Sequence, residues 1–200
     1  MTKIKKALVN TLIIIFLIAL FSIGLVLYKD RTYFHSSPYK NKTNDATDIL
    51  VVYYSRSGNT EAMARQIARS LRANIRSIKT DKYTLDLKGQ REAGNDADLE
   101  VLPPVSPSTI DLSQYRLILL GSPIWWYRPA TPLWSFVENN DFTGKKVILF
   151  NTFNSRFKPE KIEQFRYKIE QQGGKMVDHI YVRRGRVFFQ KDGDDIISET

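Results

Sequence analysis

Three short stretches limit what this chain can fold into. Residues 48–54 (DILVVYY), 116–121 (RLILLG) and 146–151 (KVILFN) carry β-rich apolar side chains at consecutive positions. They are too short for helices and too uniformly apolar for a wet face, which is the pattern of strands buried on both sides. Helical periods lie between and after them. Residues 60–73 have an inner stripe of Met63 (or Ala64), Ile67, Ala68 and Leu71, and Pro132 starts a short helix to Glu138. Residues 159–172 are amphipathic, with Ile162, Phe165 and Ile169 on one side, and Gly173-Gly174 stops them. Residues 75–80 and 175–190 read as further strands, the second carrying Val177, Ile180, Val182, Val187, Phe188 and Phe189. Strand-helix alternation predicts an α/β domain, an open parallel sheet with helices on both faces. Such sheets bind ligands at the carboxyl ends of their strands, near the point where strand order reverses. Residues 81–113 fit less well. Gly89, Gly94, Pro103, Pro104 and Pro107 interrupt them and no helical period lasts, so a long irregular excursion is expected.

A second constraint precedes the domain. Residues 7–28 carry no charge and are mostly Ile, Leu, Val, Phe and Ala. As a helix they would span roughly 33 Å, enough for a hydrocarbon core of ~30 Å. No small-x-small cleavage site follows the run, and no polar face marks it as a core helix. The expected organisation is a single-pass membrane anchor over 1–31, a polar tether over 32–47 and a soluble domain over 48–200. Lys3, Lys5 and Lys6 favour a cytoplasmic N-terminus and hence an extracytoplasmic domain. Lys29, Arg31, Lys40 and Lys42 lie near the other end of the run and leave the cytoplasmic arrangement open.

The net charge of +9 divides unevenly. Residues 1–31 carry five bases and one acid, and the other 169 residues carry 25 bases and 20 acids. Arg65, Arg69 and Arg72 share one face of the first domain helix by spacing, with Arg76 beyond it, and Arg183, Arg184 and Arg186 form a second cluster. These read as solvated surface or as contacts to anionic lipid or an acidic redox partner. Nucleic acid is not an expected partner, since no binding motif for it is present. The absence of cysteine excludes thiol nucleophiles, Cys-ligated zinc and iron–sulfur clusters. His179 in a strand reads as structural, and no acid-base pair stands out.

The chemistry lies in three loops. The first strand runs into Ser55-Arg56-Ser57-Gly58-Asn59-Thr60, which opens directly into a helix. Short hydroxyls and a glycine at a helix N-terminus suit a phosphate monoester, and Gly58 would let the backbone approach the anion. Helix capping by Ser57 or Thr60 is the plainer alternative. Neither a Walker loop nor a dinucleotide fingerprint is present. The strand over 116–121 is followed by Ser122-Pro123-Ile124-Trp125-Trp126-Tyr127. Three consecutive aromatics there suit a flat ligand held by stacking, unless one or both Trp fill the core beneath. Asn151-Thr152-Phe153-Asn154-Ser155-Arg156 ends the strand over 146–151 with groups that could bond a polar ring edge. Together the loops match a flat ring with a phosphorylated tail.

On these residues the sequence resembles the flavodoxin-like family, specifically bacterial flavodoxins with a Trp-Trp pair. The matching segments are 54–60 (YSRSGNT), 121–126 (GSPIWW), 141–147 (DFTGKKV) and 173–175 (GGK), in order and spacing. The resemblance implies a five-stranded parallel sheet in the order 2-1-3-4-5 with FMN at its carboxyl edge. It implies that Ser55, Ser57, Gly58, Asn59 and Thr60 hold the phosphate, and that Pro123, Ile124, Trp125 and Trp126 line the isoalloxazine; Arg56 and Tyr127, within the same loops, are further cofactor-binding candidates. Thr152, Phe153, Asn154 and Ser155 would meet its pyrimidine edge. The implied function is a membrane-anchored FMN protein that carries electrons, or reduces a quinone-like substrate. The chain departs from the family at Tyr127-Arg128, in the third loop and in its basic charge. These departures motivate an alternative: a scaffold that has lost tight FMN binding and meets a partner or anionic lipid through its basic face.

Overall fold

The computed structural model describes residues 2–40, 47–186 and 189–200. The first helix, α1 (Lys3–Arg31), is one unbroken helix with an uncharged middle over residues 7–28 and charged residues at both ends. Its Lys3–Leu25 portion is long and apolar enough to cross a membrane, and none of it is buried in the protein.

The domain then alternates as expected. β1 (Ile49–Tyr54), α2 (Asn59–Leu71), β2 (Asn74–Ile78), α3 (Leu87–Asp98) and β3 (Leu117–Trp125) form its first half. A two-residue β4 (Arg128–Pro129), α4 (Thr131–Glu138), β5 (Lys146–Phe153), α5 (Pro159–Gln171), β6 (Lys175–Arg183) and α6 (Gly193–Glu199) complete it. The five long strands are parallel and lie in the order β2-β1-β3-β5-β6, which is the implied 2-1-3-4-5 order. The sheet has one more strand than expected, because β4 pairs antiparallel with the end of β3.

Side-chain alternation explains why the strands read as continuously apolar. Leu50, Val52 and Tyr54 of β1 point into a core with Ala93 of α3, Leu133 and Phe136 of α4, and Phe165 of α5. Val51 and Tyr53 point the other way, onto Met63, Ala64 and Ile67 of α2 and Ile196 of α6. Both faces are covered, so neither face of β1 can be polar.

Three expectations need correction. The excursion over 81–113 contains α3, twelve residues long. Its buried face is Gly89, Ala93, Asp96 and Ala97, residues too small or too polar to register as a hydrophobic stripe. Asp96 is buried because the Tyr83 hydroxyl donates to it at 2.6 Å and Lys82 pairs with it at 2.6 Å. The strand expected over 175–190 ends at Arg183, and a helix follows. Asp192 caps that helix, accepting from Asp194 and Asp195, while Asp195 accepts from the Asp192 backbone. Val187 and Phe188 lie outside the described residues. The third correction concerns the tether. Residues 32–40 lie along the domain as a strap, and its contacts reach the candidate site.

Candidate functional site

The carboxyl ends of β1, β3 and β5 surround one cavity of about 310 Å³. Fourteen of the fifteen expected site residues line it: Ser55, Arg56, Ser57, Asn59, Thr60, Pro123, Ile124, Trp125, Trp126, Tyr127, Thr152, Phe153, Asn154 and Ser155. Gly58 is not among the lining residues. Its φ of +84° turns the chain into α2, and a Cβ there would sit 2.0 Å from the Phe34 carbonyl oxygen. The close approach that demands glycine here is to the Phe34 backbone of the strap. The Gly58 N–H donates to Ser55 Oγ at 3.1 Å.

Each loop is held by its neighbours. Asn59 Nδ2 donates to Ser57 Oγ at 3.0 Å, and the buried Thr60 and Thr152 hydroxyls meet at 2.7 Å, joining the first loop to the third. The Asn59, Thr60 and Glu61 amides fall in the first turn of α2, where a helix has free N–H donors and positive potential. Beneath the loops runs a buried polar chain. Asn151 Nδ2 donates to the Ser122 carbonyl at 2.8 Å, and His179 Nε2 meets Asn151 Oδ1 at 2.9 Å. Asn151 uses its amide as donor to Ser122, so its oxygen accepts and His179 carries the proton on Nε2.

Burial pushes His179 down to about 4; Arg166 adds to this and Asp178 opposes it. The imidazole sits among Phe157 and Tyr181. An unfolded histidine titrates near 6.5, so the unfolded chain binds the proton more tightly. His179 therefore contributes stability above pH ~6.5 that is lost as pH falls through ~4. Urea melts at stepped pH should show this decline, and His179→Asn should flatten it.

The aromatic loop divides its two tryptophans between core and cavity mouth. Strand β3 continues through Pro123, Ile124 and Trp125 before turning. Trp125 packs edge-on against Tyr54 at 5.4 Å and Tyr83 at 5.0 Å, so it fills core while still lining the cavity. Trp126 and Tyr127 are the two turn residues, with φ of 45° and 70°, as a tight hairpin turn requires. Neither is glycine, so the turn is strained. The Lys158 N–H donating to the Tyr127 carbonyl at 2.9 Å braces it, with the Arg156 and Lys158 cations over the Tyr127 ring at 5.3 and 5.4 Å. Trp126 is left 58% exposed.

The cavity also takes in Gln90, Ala93 and Gly94 of α3, together with Arg156, Arg184 and Arg186. The α3 residues were missed because the helix itself was missed. Asp86 at its N-cap, with Gly89, Ala93 and Ala97 four residues apart, is the available signal. Gln90 Oε1 is buried and accepts no hydrogen bond among the described residues. The basic face of α2 breaks up. Arg65 turns inward, pairing with Glu61 at 2.5 Å and donating to the Ser36 carbonyl at 2.6 Å. Arg184 is buried and donates to Asn154 Oδ1 at 3.3 Å, so it belongs to the wall of the cavity.

The flavodoxin family model matches residues 48–186, the whole sheet and all three loops. The chain belongs to the flavodoxin family. Solved flavodoxin-like structures agree in fold. A flavoprotein from Lactobacillus acidophilus NCFM, solved in complex with FMN, is 24% identical, with 68% of this chain and 93% of that chain covered and a TM-score of 0.58. Its apo form is 25% identical over 69% of this chain and 93% of that one, with a TM-score of 0.53. A protein from Bacteroides uniformis ATCC 8492 reaches a TM-score of 0.60 at 21% identity, over 78% of this chain and 98% of that one. Within the flavodoxin frame, the cavity lies at the topological switch point between β1 and β3.

Proposed function

We propose that this chain is a membrane-anchored flavodoxin that binds FMN in the cavity and serves in electron transfer or FMN-dependent reduction. The observation that carries the reading is the convergence of the three expected loops on one cavity at the carboxyl edge. The residues fit the cofactor at both ends. Ser55, Ser57, Asn59 and Thr60 offer hydroxyl, amide and helix-terminal donors to a phosphate. Pro123, Ile124, Trp125 and Trp126, with Tyr127, offer an apolar and aromatic wall to a ring. Gln90 Oε1 and the third loop, Thr152 through Ser155, offer polar partners to the ring edge. Arg56, Arg156, Arg184 and Arg186 add positive charge, and no carboxylate lines the cavity among the described residues.

FMN, when bound, supplies the one- and two-electron chemistry. The protein's residues anchor the phosphate, exclude water from the ring through Trp125 and Trp126, and set the local potential through the arginines. The α1 rod serves as the anchor, and Lys3, Lys5 and Lys6 favour a cytoplasmic N-terminus with the domain on the far side. A quinone-like substrate or a redox partner at the bilayer is the expected electron acceptor or donor.

Purified protein should be yellow and should quench the fluorescence of added FMN. Ser57→Glu sets a carboxylate against the phosphate and should raise Kd at least about tenfold, or 1.4 kcal/mol. Riboflavin, which lacks the phosphate, should bind both forms alike. A colourless protein that takes up no added FMN would overturn the reading.

A further inference from the structure

The membrane helix leaves the domain at the cavity edge. Thr32 still donates its N–H to the Tyr28 carbonyl at 3.0 Å, so helical bonding persists to that point. Two residues later the Phe34 N–H donates to the Ser57 carbonyl at 2.9 Å. Two residues reach at most about 7 Å. The strap is then held along α2. Tyr33 donates to Glu61, Arg65 donates to the Ser36 carbonyl and hydroxyl, and Tyr39 donates to the Ala73 carbonyl at 3.0 Å. Phe34 is clasped by two glycines, its backbone against Gly58 and its ring against Gly193. No slack segment separates the end of α1 from the first loop of the site.

Charge and exposed aromatics concentrate on the same edge. The segments that follow β1, β3, β5 and β6 are residues 55–58, 126–130, 154–158 and 184–191. They hold seven Lys and Arg and no Asp or Glu, and residues 79–86 after β2 add two Lys and two Asp, so this edge carries nine bases against two acids. The opposite edge is mixed, with Asp48, Asp111 and Asp141 beside Arg116 and Lys145. Arg128 and Arg184 are buried, but Arg156, Lys158 and Arg186 are exposed, as is Arg183 at the end of β6. Among them stand two unburied aromatics, Trp126 at 58% exposure and Phe189 at 89%. Exposed Trp and Phe between basic side chains are what a membrane–water interface accepts, the rings among acyl-chain ends and the cations among phosphates.

We propose that the carboxyl edge of the sheet, with the mouth of the cavity in it, rests on the bilayer that holds α1 and meets anionic headgroups there. This rests on reading α1 as a membrane anchor. Trp126 and Phe189 enter the interface, while Arg156, Lys158, Arg183 and Arg186 face lipid phosphates. The cavity is then supplied from the membrane plane, which suits a lipophilic electron partner.

The test uses the full chain with FMN, in vesicles of mixed phosphatidylglycerol and phosphatidylcholine carrying nitroxide-labelled lipid. The chain has no cysteine, so Phe189→Cys and, at the opposite edge, Gln114→Cys each give one site for an environment-sensitive dye. The dye at 189 should be quenched at least about fivefold more than the dye at 114, and the difference should shrink in high salt or in pure phosphatidylcholine. Equal quenching at the two sites, in protein that floats with the vesicles, overturns the docking and leaves the anchor standing. A difference indifferent to salt and lipid charge overturns the anionic contact. Protein that does not float with vesicles overturns the anchor and the docking together.

Discussion

Glu61→Leu is expected to cost about 3–5 kcal/mol of stability, because it breaks a buried ionic cluster by removing one partner. Glu61 lies in the first turn of α2 and is buried. Its carboxylate accepts from the Tyr53 hydroxyl at 2.9 Å and from the Tyr33 hydroxyl, and pairs with Arg65 at 2.5 Å. Burial and the Glu61 carboxylate hold both phenols well above their ordinary pKa, so both stay protonated as donors. A leucine leaves two phenols and a guanidinium facing an apolar side chain. For a domain of this size the loss corresponds to a drop in Tm on the order of 10 °C. Glu61→Gln keeps one acceptor oxygen and should cost less than half as much. Thermal melts of the two variants decide the matter; equal, small shifts would mean that the cluster is mere surface.

Gly58→Ala should have the second largest effect, and on two observables. The left-handed conformation at φ +84° costs an L-residue about 1–2 kcal/mol. The new methyl also cannot coexist with the Phe34 carbonyl 2.0 Å away, so the strap must lift or the loop must deform. Lifting breaks the bond from the Phe34 N–H to Ser57, whose hydroxyl lines the cavity. Amide exchange at Phe34 should become fast, and FMN affinity should fall at least about tenfold, 1.4 kcal/mol. Protection of the Phe34 amide retained in Gly58→Ala would show that the strap does not depend on this glycine.

The two variants act on one physical unit. Strap, α2 and first loop share Glu61, Arg65, Ser57 and Gly58, so the segment read as a tether is part of the wall behind the candidate phosphate site. Its sequence, TYFHSSPYK, has no period and many polar residues. Tyr33, Phe34 and Tyr39 are spent on partners 23 to 34 positions away, and no local pattern encodes such contacts. Helix α3 was illegible for a related reason: its packing surface is two alanines, a glycine and an aspartate, and close approach to the core replaces bulk. The arginines of α2 divide likewise. Arg65, Arg69 and Arg72 looked like one face by spacing, but a buried carboxylate one turn before Arg65 draws it inward.

What the sequence determined on its own was the sheet and its loops. Strands buried on both faces are apolar along most of their length, so β1, β3 and β5 announce themselves, and short loops at their carboxyl ends inherit a common edge from topology alone. The uncharged run in α1 is equally legible, because nothing but length and composition decides whether a helix can cross a bilayer. Only the tertiary structure decided how the strap and the loops pack. It packed Trp125 and exposed Trp126, set Gly58 against the strap, and brought the end of α1 to the cavity edge. Those outcomes depend on contacts between residues far apart in the chain, where the geometry of the folded backbone, not local propensity, sets which side chain meets which.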